Sequence, residues 1–299
     1  MQLAFCPQPI AFRRWPFRMS IFSQIYSIGA VRSMLWRLWY PFVTRRLQGE
    51  GVVFLNYGFE TDPALGLPLS AEKESDRACI QLYAHVAGQG VLRGKHVLEV
   101  SCGHGGGAAY LARTFRPATY SAMDVNPVGI RFCQERHAEQ GLAFVRGDAE
   151  DLPFATESID VVINIEASHC YGDFPRFLEE VARVLRPGGV FLYADFRFRD
   201  ERAAWENTLA ASALERVGSQ VITADVVRGL DRNAQRSLDL VVRCLPKWMH
   251  SFGREFAGIP GSYIYRGLQR GDVVYLSYCF AKPAEKIRPD QAHKGVAVT

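Results

Sequence analysis

The residues best suited to chemistry in this chain sit where short apolar runs end in glycines, acids or a histidine. The first such place is Val97-Leu98-Glu99-Val100-Ser101-Cys102-Gly103-His104-Gly105-Gly106-Gly107. An apolar strand there meets a glycine cluster, and helical spacing resumes at Ala108, Tyr110, Leu111 and Thr114. Glycine lacks Cβ, so the turn can bend sharply and a ligand can approach its backbone. The following helix aims its N-terminal amides at the same point. Strand, glycine turn and helix predict a cradle for a nucleotide-type cofactor. Glu99, Ser101, Gly103 and Gly105 are its candidate contacts, with His104 inside the same turn.

Further runs repeat the pattern. Tyr120-Ser121-Ala122-Met123-Asp124 ends in Asp124, an acid able to accept hydrogen bonds from a ribose diol. Phe144-Val145-Arg146-Gly147-Asp148-Ala149 reads as a third strand whose end, at Asp148 and Ala149, could meet an adenine amino group. A fourth strand runs from Ile159 to Asn164, with Glu166 and His169 just beyond it. A helix from Phe174 to Leu185 is stopped by Arg186-Pro187-Gly188-Gly189. Val190-Phe191-Leu192-Tyr193-Ala194-Asp195 is a fifth strand, ending in Asp195. This alternation from His96 to Asp195 predicts a doubly wound, mostly parallel α/β sheet.

In order and spacing, Glu99-x-x-x-Gly103-x-Gly105, Asp124, Gly147-Asp148-Ala149-Glu150-Asp151-Leu152-Pro153-Phe154 and Leu185-Arg186-Pro187-Gly188-Gly189 resemble the class I S-adenosylmethionine-dependent methyltransferases. Trp39-Tyr40-Pro41, Val97 through Gly107, Val145 through Pro153, Glu166-Ala167-Ser168-His169-Cys170-Tyr171 and Gly253-Arg254-Glu255-Phe256 are similar, more narrowly, to the mycobacterial phthiotriol/phenolphthiotriol dimycocerosate methyltransferases. The likeness runs from about Trp36 to about Lys282. It implies a Rossmann-like fold, S-adenosyl-L-methionine as cofactor, and methylation of a hydroxyl on a long-chain lipid. It also implies cofactor contacts from Glu99, Ser101, Gly103, Gly105, Asp124, Asp148, Ala149 and Asn164, with Glu99 toward the methionine part. Ser101 stands where the wider superfamily carries its first glycine, a feature the narrower family shares.

Methyl transfer from a sulfonium is an in-line displacement, so the protein mainly positions the nucleophile. An aliphatic alcohol holds its proton tightly, and a general base assists attack. His169 is the candidate base, because imidazole accepts a proton near neutral pH. The competing reading is a histidine stacked beside the cofactor or satisfied by a backbone carbonyl. Asp195 is the candidate orienter of His169. Its bland alternatives are a helix cap or an ion pair with Arg197 or Arg199. Glu166 and His169 have helix-face metal spacing, but two candidate ligands do not make a site. No metal is expected, and Glu166 reads as a cofactor-side or structural acid. Tyr40 and Tyr57 could close over the cofactor, although aromatic packing explains them equally.

Composition narrows the functional classes. Net charge is only +4, which gives no indication of a nucleic-acid partner. Residues 1–50 hold seven Arg against one Glu and are rich in Phe, Trp and Tyr, suiting either an anionic membrane surface or a packed helix with outward arginines. Arg32 and Arg37 interrupt the apolar span Ile21 to Val43, each at about 2.5–3.5 kcal/mol near a bilayer centre. A transmembrane helix is therefore not expected. The seven cysteines are scattered without a C-x-x-C pair, and a reducing cytoplasm fits them, with residues 1–50 suggesting a peripheral place at the inner membrane face. Other readings of the same residues are methylation of a sugar hydroxyl on a glycolipid or secondary metabolite, an NAD-dependent oxidoreductase, and a non-catalytic cofactor-binding protein. Gly103-x-Gly105-x-x-Ala108 fits the loose dinucleotide pattern, but the Gly147-to-Ala149 and Leu185-to-Gly189 signatures weigh against an oxidoreductase.

The organisation expected is a dispensable or misassigned extension at 1–18, then N-terminal helices and a lid at 19–95. Within that part, helix is expected over 19–48 with Pro41 as a break, an irregular lid over 50–70, and helix over 74–90. The methyltransferase domain spans 96–282. A mostly helical cap at 196–250 covers the acceptor side, 252–282 returns as strands, and 283–299 forms a disordered tail. The sequence leaves the oligomeric state open.

Overall fold

The computed structural model describes residues 29–284. The expectations for the 1–18 extension, the helix before residue 29 and nearly all of the tail lie outside the described residues.

Seven strands form one sheet: β1 (His96–Val100), β2 (Thr119–Asp124), β3 (Leu142–Arg146), β4 (Ile159–Ile165), β5 (Leu185–Phe198), β6 (Glu215–Val221) and β7 (Val273–Ala281). Their order is β3-β2-β1-β4-β5-β7-β6. The strands from β3 to β5 are parallel, and β7 enters antiparallel between β5 and β6. A parallel sheet is covered on both faces, so its strands are apolar almost throughout. Accordingly Val97, Leu98 and Val100 are all buried, as are Val161, Val162 and Ile163. The residues pack as two apolar layers, one on each side of the sheet.

Nine helices surround the sheet among the described residues: α1 (Gly29–Leu47), α2 (Arg77–Ala87), α3 (Gly106–Phe115), α4 (Pro127–Arg136), α5 (Phe174–Val184), α6 (Arg199–Ala210), α7 (Thr223–Cys244), α8 (His250–Phe256) and α9 (Tyr263–Arg270). Their starts are legible locally. Asn126 caps α4 by accepting from the Val128 N–H, and Asp173 caps α5 by accepting from the Arg176 N–H, each with proline in the first turn. From β1 the chain winds outward through β2 and β3, and from β4 in the other direction. The crevice at this switch, outside the carboxyl ends of β1 and β4, is where such sheets bind ligands.

The structure corrects three details. Pro41 does not break the N-terminal helix, because α1 continues through it to Leu47. An internal proline costs about 3 kcal/mol, and here tertiary bonds from Thr44 hold the following turn in place. The cap region contains β6 as well as helices. That strand is polar and largely exposed, so no apolar alternation announces it. Of 252–282 only Val273–Ala281 is strand. Ser262 caps α9 through the Tyr265 N–H, and Gly271 ends that helix at φ 73°, so the part before the strand is helix and turn.

Candidate active site

The cradle follows from backbone constraints. Gly103 adopts φ 58°, a region that favours glycine. Gly107 opens the path of α3 past Tyr83: a Cβ on Gly107 would lie 2.0 Å from the tyrosine ring. Ser101 also sits at positive φ, 63°, which explains why a glycine is usual there. The left-handed conformation costs a non-glycine residue about 1–2 kcal/mol. Its Oγ meets the Tyr171 hydroxyl at 2.7 Å, and that hydroxyl also accepts from Asn164 Nδ2 at 2.8 Å.

A cavity of about 250 Å³ lies over the cradle at the carboxyl ends of the strands. Ser101, Gly103, Asp124, Asp148 and Ala149 line it, drawn from the ends of β1, β2 and β3. Asp124 accepts from the Gly103 N–H (2.9 Å) and the Asn126 N–H (2.8 Å). Burial pushes its carboxyl up to about 6 against the pull of these amides. Each carboxylate oxygen retains a second acceptor site. Asp148 is half-exposed and meets the Arg37 guanidinium of α1. Its loop is fixed from below: buried Glu180 accepts from the Leu152 N–H, and Arg183 donates to the Leu152 and Phe154 carbonyls.

The other expected cofactor contacts lie off this lining. Glu99 is one layer behind it, where its two oxygens accept from the Tyr83 hydroxyl (2.9 Å) and the Tyr120 hydroxyl (2.7 Å). Burial pushes its carboxyl up to about 7, offset in part by those bonds. Tyr83, which does line the cavity, stands between Glu99 and any ligand. Asn164 is buried and spends Nδ2 on the Val100 carbonyl and Tyr171. Gly105 shapes the turn at φ 76° without lining the cavity.

α1 and the 51–57 segment roof the cavity. His104 is buried; its Nδ1–H donates to the Val52 carbonyl (2.7 Å), and its Nε2 pairs with Thr44 Oγ1 (2.9 Å). Thr44 Oγ1 also accepts from Asn126 Nδ2 (2.9 Å). Burial lowers the His104 pKa, consistent with a neutral imidazole that accepts the Thr44 hydroxyl. Arg32 donates to the Tyr171 carbonyl. His104 therefore ties the roof to the cradle.

His169 and Asp195 meet at the ends of β4 and β5. His169 Nδ1–H donates to Asp195 Oδ1 at 2.8 Å, and the His169 backbone N–H donates to Oδ2 at 3.0 Å. Ser168 Oγ (2.6 Å), the Phe196 N–H (2.8 Å) and Arg197 Nη1 (3.1 Å) complete the fully buried carboxylate's partners. Burial opposes charging of the imidazole, but Cys170 and Asp195 beside it hold its pKa up at about 10. Burial would likewise raise the Asp195 pKa, yet His169 and Arg197 hold it well below the carboxylate range. Neither side chain lines the cofactor cavity, whereas their neighbours Ala167, Cys170 and Tyr171 do. The imidazole lies tilted against Phe196 at 4.4 Å, and Phe196 stacks on Tyr57.

Arg37 and Tyr171 line the cavity with no such role read for them from the sequence, and Glu166, read from the sequence as a cofactor-side or structural acid, lines it too. Glu166 faces the cavity with φ 50°, and both its oxygens accept from the Tyr57 N–H (3.1 and 2.9 Å). Burial pushes its carboxyl up to about 8. Arg37 reaches Asp148 from a distant helix, which no local spacing announces. Tyr171 lay within a recognised motif, and its place two residues beyond His169 was the available signal. Among the described residues, no group of three His, Cys, Asp or Glu side chains gathers as for a metal ion.

A glycine-turn cavity at the switch point of a β3-β2-β1-β4-β5-β7-β6 sheet defines a class I S-adenosylmethionine-dependent methyltransferase. A family model described as a methyltransferase domain matches residues 98–193. The phthiotriol/phenolphthiotriol dimycocerosates methyltransferase of Mycobacterium tuberculosis is 54% identical over 83% of this chain and 92% of its own length. A fatty-acid O-methyltransferase of Mycolicibacterium smegmatis is 49% identical over 83% of this chain and 90% of its length. The chain belongs to this family of S-adenosylmethionine-dependent O-methyltransferases. The crystal structure of the [4+2]-cyclase SpnF shares the fold, with TM-score 0.64 at 19% identity over 86% of this chain and 97% of that one. The residues present fit the cofactor: a glycine cradle stays open, and Asp124 and Asp148 offer acceptors to hydroxyl and amino groups. Among the described residues no helix is long and apolar enough to cross a membrane.

Proposed function

We propose that this enzyme methylates a hydroxyl of a long-chain lipid of the phthiotriol/phenolphthiotriol dimycocerosate type. The observation that carries the reading is the His169–Asp195 pair, held at the crevice end of β4 and β5 within a family whose relatives are named for that substrate. S-adenosylmethionine, when bound, supplies an activated methyl group. The chain's own part is to hold the acceptor oxygen in line and take up its proton. His169 Nε2 is the nitrogen for that task, since Nδ1–H is committed to Asp195. Asp195 fixes the ring and stabilises the imidazolium that forms. Ser101, Gly103, Asp124, Asp148 and Ala149 bind the cofactor, while Glu99, Gly105 and Asn164 shape the wall behind them. Purified enzyme with radiolabelled cofactor and a long-chain diol should yield a singly methylated ether. Methylation confined to a sugar hydroxyl would refute the acceptor class.

A second reading is favoured by the charge state of His169. An imidazole with its pKa near 10 is a cation at neutral pH. Such a group suits a fatty carboxylate, which is already ionised and needs no base. A relative named as a fatty-acid O-methyltransferase supports this alternative. Comparing a fatty acid with the matching fatty alcohol as acceptor separates the two.

The enzyme works, on this reading, at the cytoplasmic membrane face, where its lipid acceptor resides. The basic, aromatic stretch of residues 1–50 is the contact. Sedimentation with anionic but not neutral vesicles is the expected result. The domain limits proposed are 19–95 for the roof and 96–282 for the catalytic domain, with 1–18 dispensable. Activity retained by a chain lacking residues 1–18 would support them.

A further inference from the structure

A second cavity, of about 120 Å³, lies between α1, α7, α8 and the segment before α2. Trp39, Val43, Leu240, Val241, Phe256 and Ala257 give it a largely apolar wall. Phe54, Leu55 and Asn56 line both this cavity and the cofactor cavity. Leu55 is the partition: its Cδ1 lies 3.4 Å from the point a Cβ on Gly103 would occupy.

Most polar groups in this wall are engaged with neighbouring groups, while the buried Trp39 Nε1 has no hydrogen-bond partner among the described residues. Arg236 pairs with Asp76, Asn56 Oδ1 accepts from the Gly58 N–H, and Asn233 Nδ2 donates to Cys79 Sγ. Arg46 lies over the Phe42 ring. The cavity therefore offers an apolar lining with little unspent polarity, which suits an aliphatic chain and not a charged headgroup. Nor is it slack packing. A Cβ on Gly253, one of its lining residues, would fall 2.6 Å from Leu245 Cδ1, so the surrounding wall is tight. Outside, Phe252 packs edge-on against Trp39 at 4.6 Å while remaining 45% exposed, and Trp248 is 82% exposed. Apolar surface thus extends from the cavity wall to solvent.

We propose that this second cavity holds the aliphatic chain of the acceptor, with the reacting end delivered past Leu55 to the cofactor cavity. The inference rests on the lipid reading above and names the place where the lipid's chain lies. A chain running from the Trp248–Phe252 surface to Leu55 would be held by burial alone, so affinity should scale with its length.

The test uses the whole enzyme with S-adenosylhomocysteine bound and a hexadecanoic acid carrying a terminal diazirine. Irradiation should label peptides from α1, the end of α7 and α8. Labelling confined to other elements overturns the proposal. In turnover, KM should improve about fourfold for each added methylene, equivalent to about 0.8 kcal/mol, until the cavity fills. Ala257→Trp and Leu240→Trp fill the space and should cut kcat/KM for the longest acceptors roughly tenfold or more, by removing several methylenes' burial. Short acceptors and S-adenosylhomocysteine affinity should be unaffected. An unchanged chain-length profile in folded variants overturns the subsite while leaving lipid methylation intact. Absence of lipid turnover with correct photolabelling would instead count against the functional reading alone.

Discussion

At the scale of single residues, the proton on His169 decides the chemistry. The imidazole is held by an ionised, fully buried Asp195, and its pKa stands near 10. If the acceptor is a hydroxyl and His169 its base, kcat/KM should rise with pH through neutrality and level off only near pH 10. If the acceptor is a carboxylate held by the imidazolium, the rate should be flat through neutrality and fall above that value. Asp195→Asn removes one of the interactions that, together with Cys170, raise the pKa, so either profile should shift toward lower pH. For the hydroxyl reaction, His169→Ala should lower kcat by roughly 10²–10⁴-fold, the worth of a positioned base, with S-adenosylhomocysteine affinity kept. Near-normal turnover in that variant would dismiss the base. The same pair has a stability consequence. A raised imidazole pKa adds stability that is complete below 6.5, its ordinary value, and fades as pH climbs through about 10. Asp195, whose pKa is depressed, loses its share as pH falls below 3.8. Thermal denaturation of wild type and Asp195→Asn across this range should show the difference.

At the scale of elements, the roof is a designed dependency between α1 and the glycine turn. Thr44 Oγ1 serves both His104 and Asn126. Thr44→Val keeps the shape but leaves two buried polar groups unpartnered, at about 1–3 kcal/mol each. The expected result is a lower Tm, faster amide exchange along α1 and weaker S-adenosylhomocysteine binding. Unchanged exchange in α1 would show that the roof is held by other means. This coupling also marks what the sequence could tell. Each strand-end signature, from Glu99 to Asp195, is local, because strand, turn and helix follow one another in the chain. Their convergence on one crevice was readable from the βα alternation. The roof was not, because His104 meets residues fifty or more positions away, and Arg37 reaches Asp148 across 111 positions. Nor was the layering behind the cavity. The type of Glu99 and its strand-end position suggested a ligand, while its actual partners are tyrosines from α2 and β2. The edge strand β6 carries no apolar alternation in the sequence, because an exposed strand next to β7 needs no apolar face.

At the scale of the whole molecule, the carboxyl ends of the parallel strands deliver half-buried carboxyl groups to one cavity, and this sets how the enzyme handles charge. Asp124 and Glu166 both line it, with burial lifting their pKa values to about 6 and about 8. Without a ligand, the carboxyl of Glu166 is therefore largely protonated at neutral pH. A sulfonium cation favours the ionised form of nearby carboxyls. Binding of S-adenosylmethionine should accordingly release protons, and its Kd should fall as pH rises from about 6 to about 8. S-adenosylhomocysteine has the same skeleton without the sulfonium charge, so its affinity should vary less over that range. Charged His169 beyond the wall opposes this effect, and with its pKa held up at about 10 it does not change state across the window named. Calorimetry in buffers of different ionisation enthalpy counts the protons directly. Glu166→Gln should flatten the upper part of the dependence while retaining the amide contact to Tyr57. The resulting preference for the charged cofactor over its neutral product would favour product exchange above neutrality. Identical pH dependences for the two ligands in the wild-type enzyme would show that these carboxyls do not sense the sulfonium.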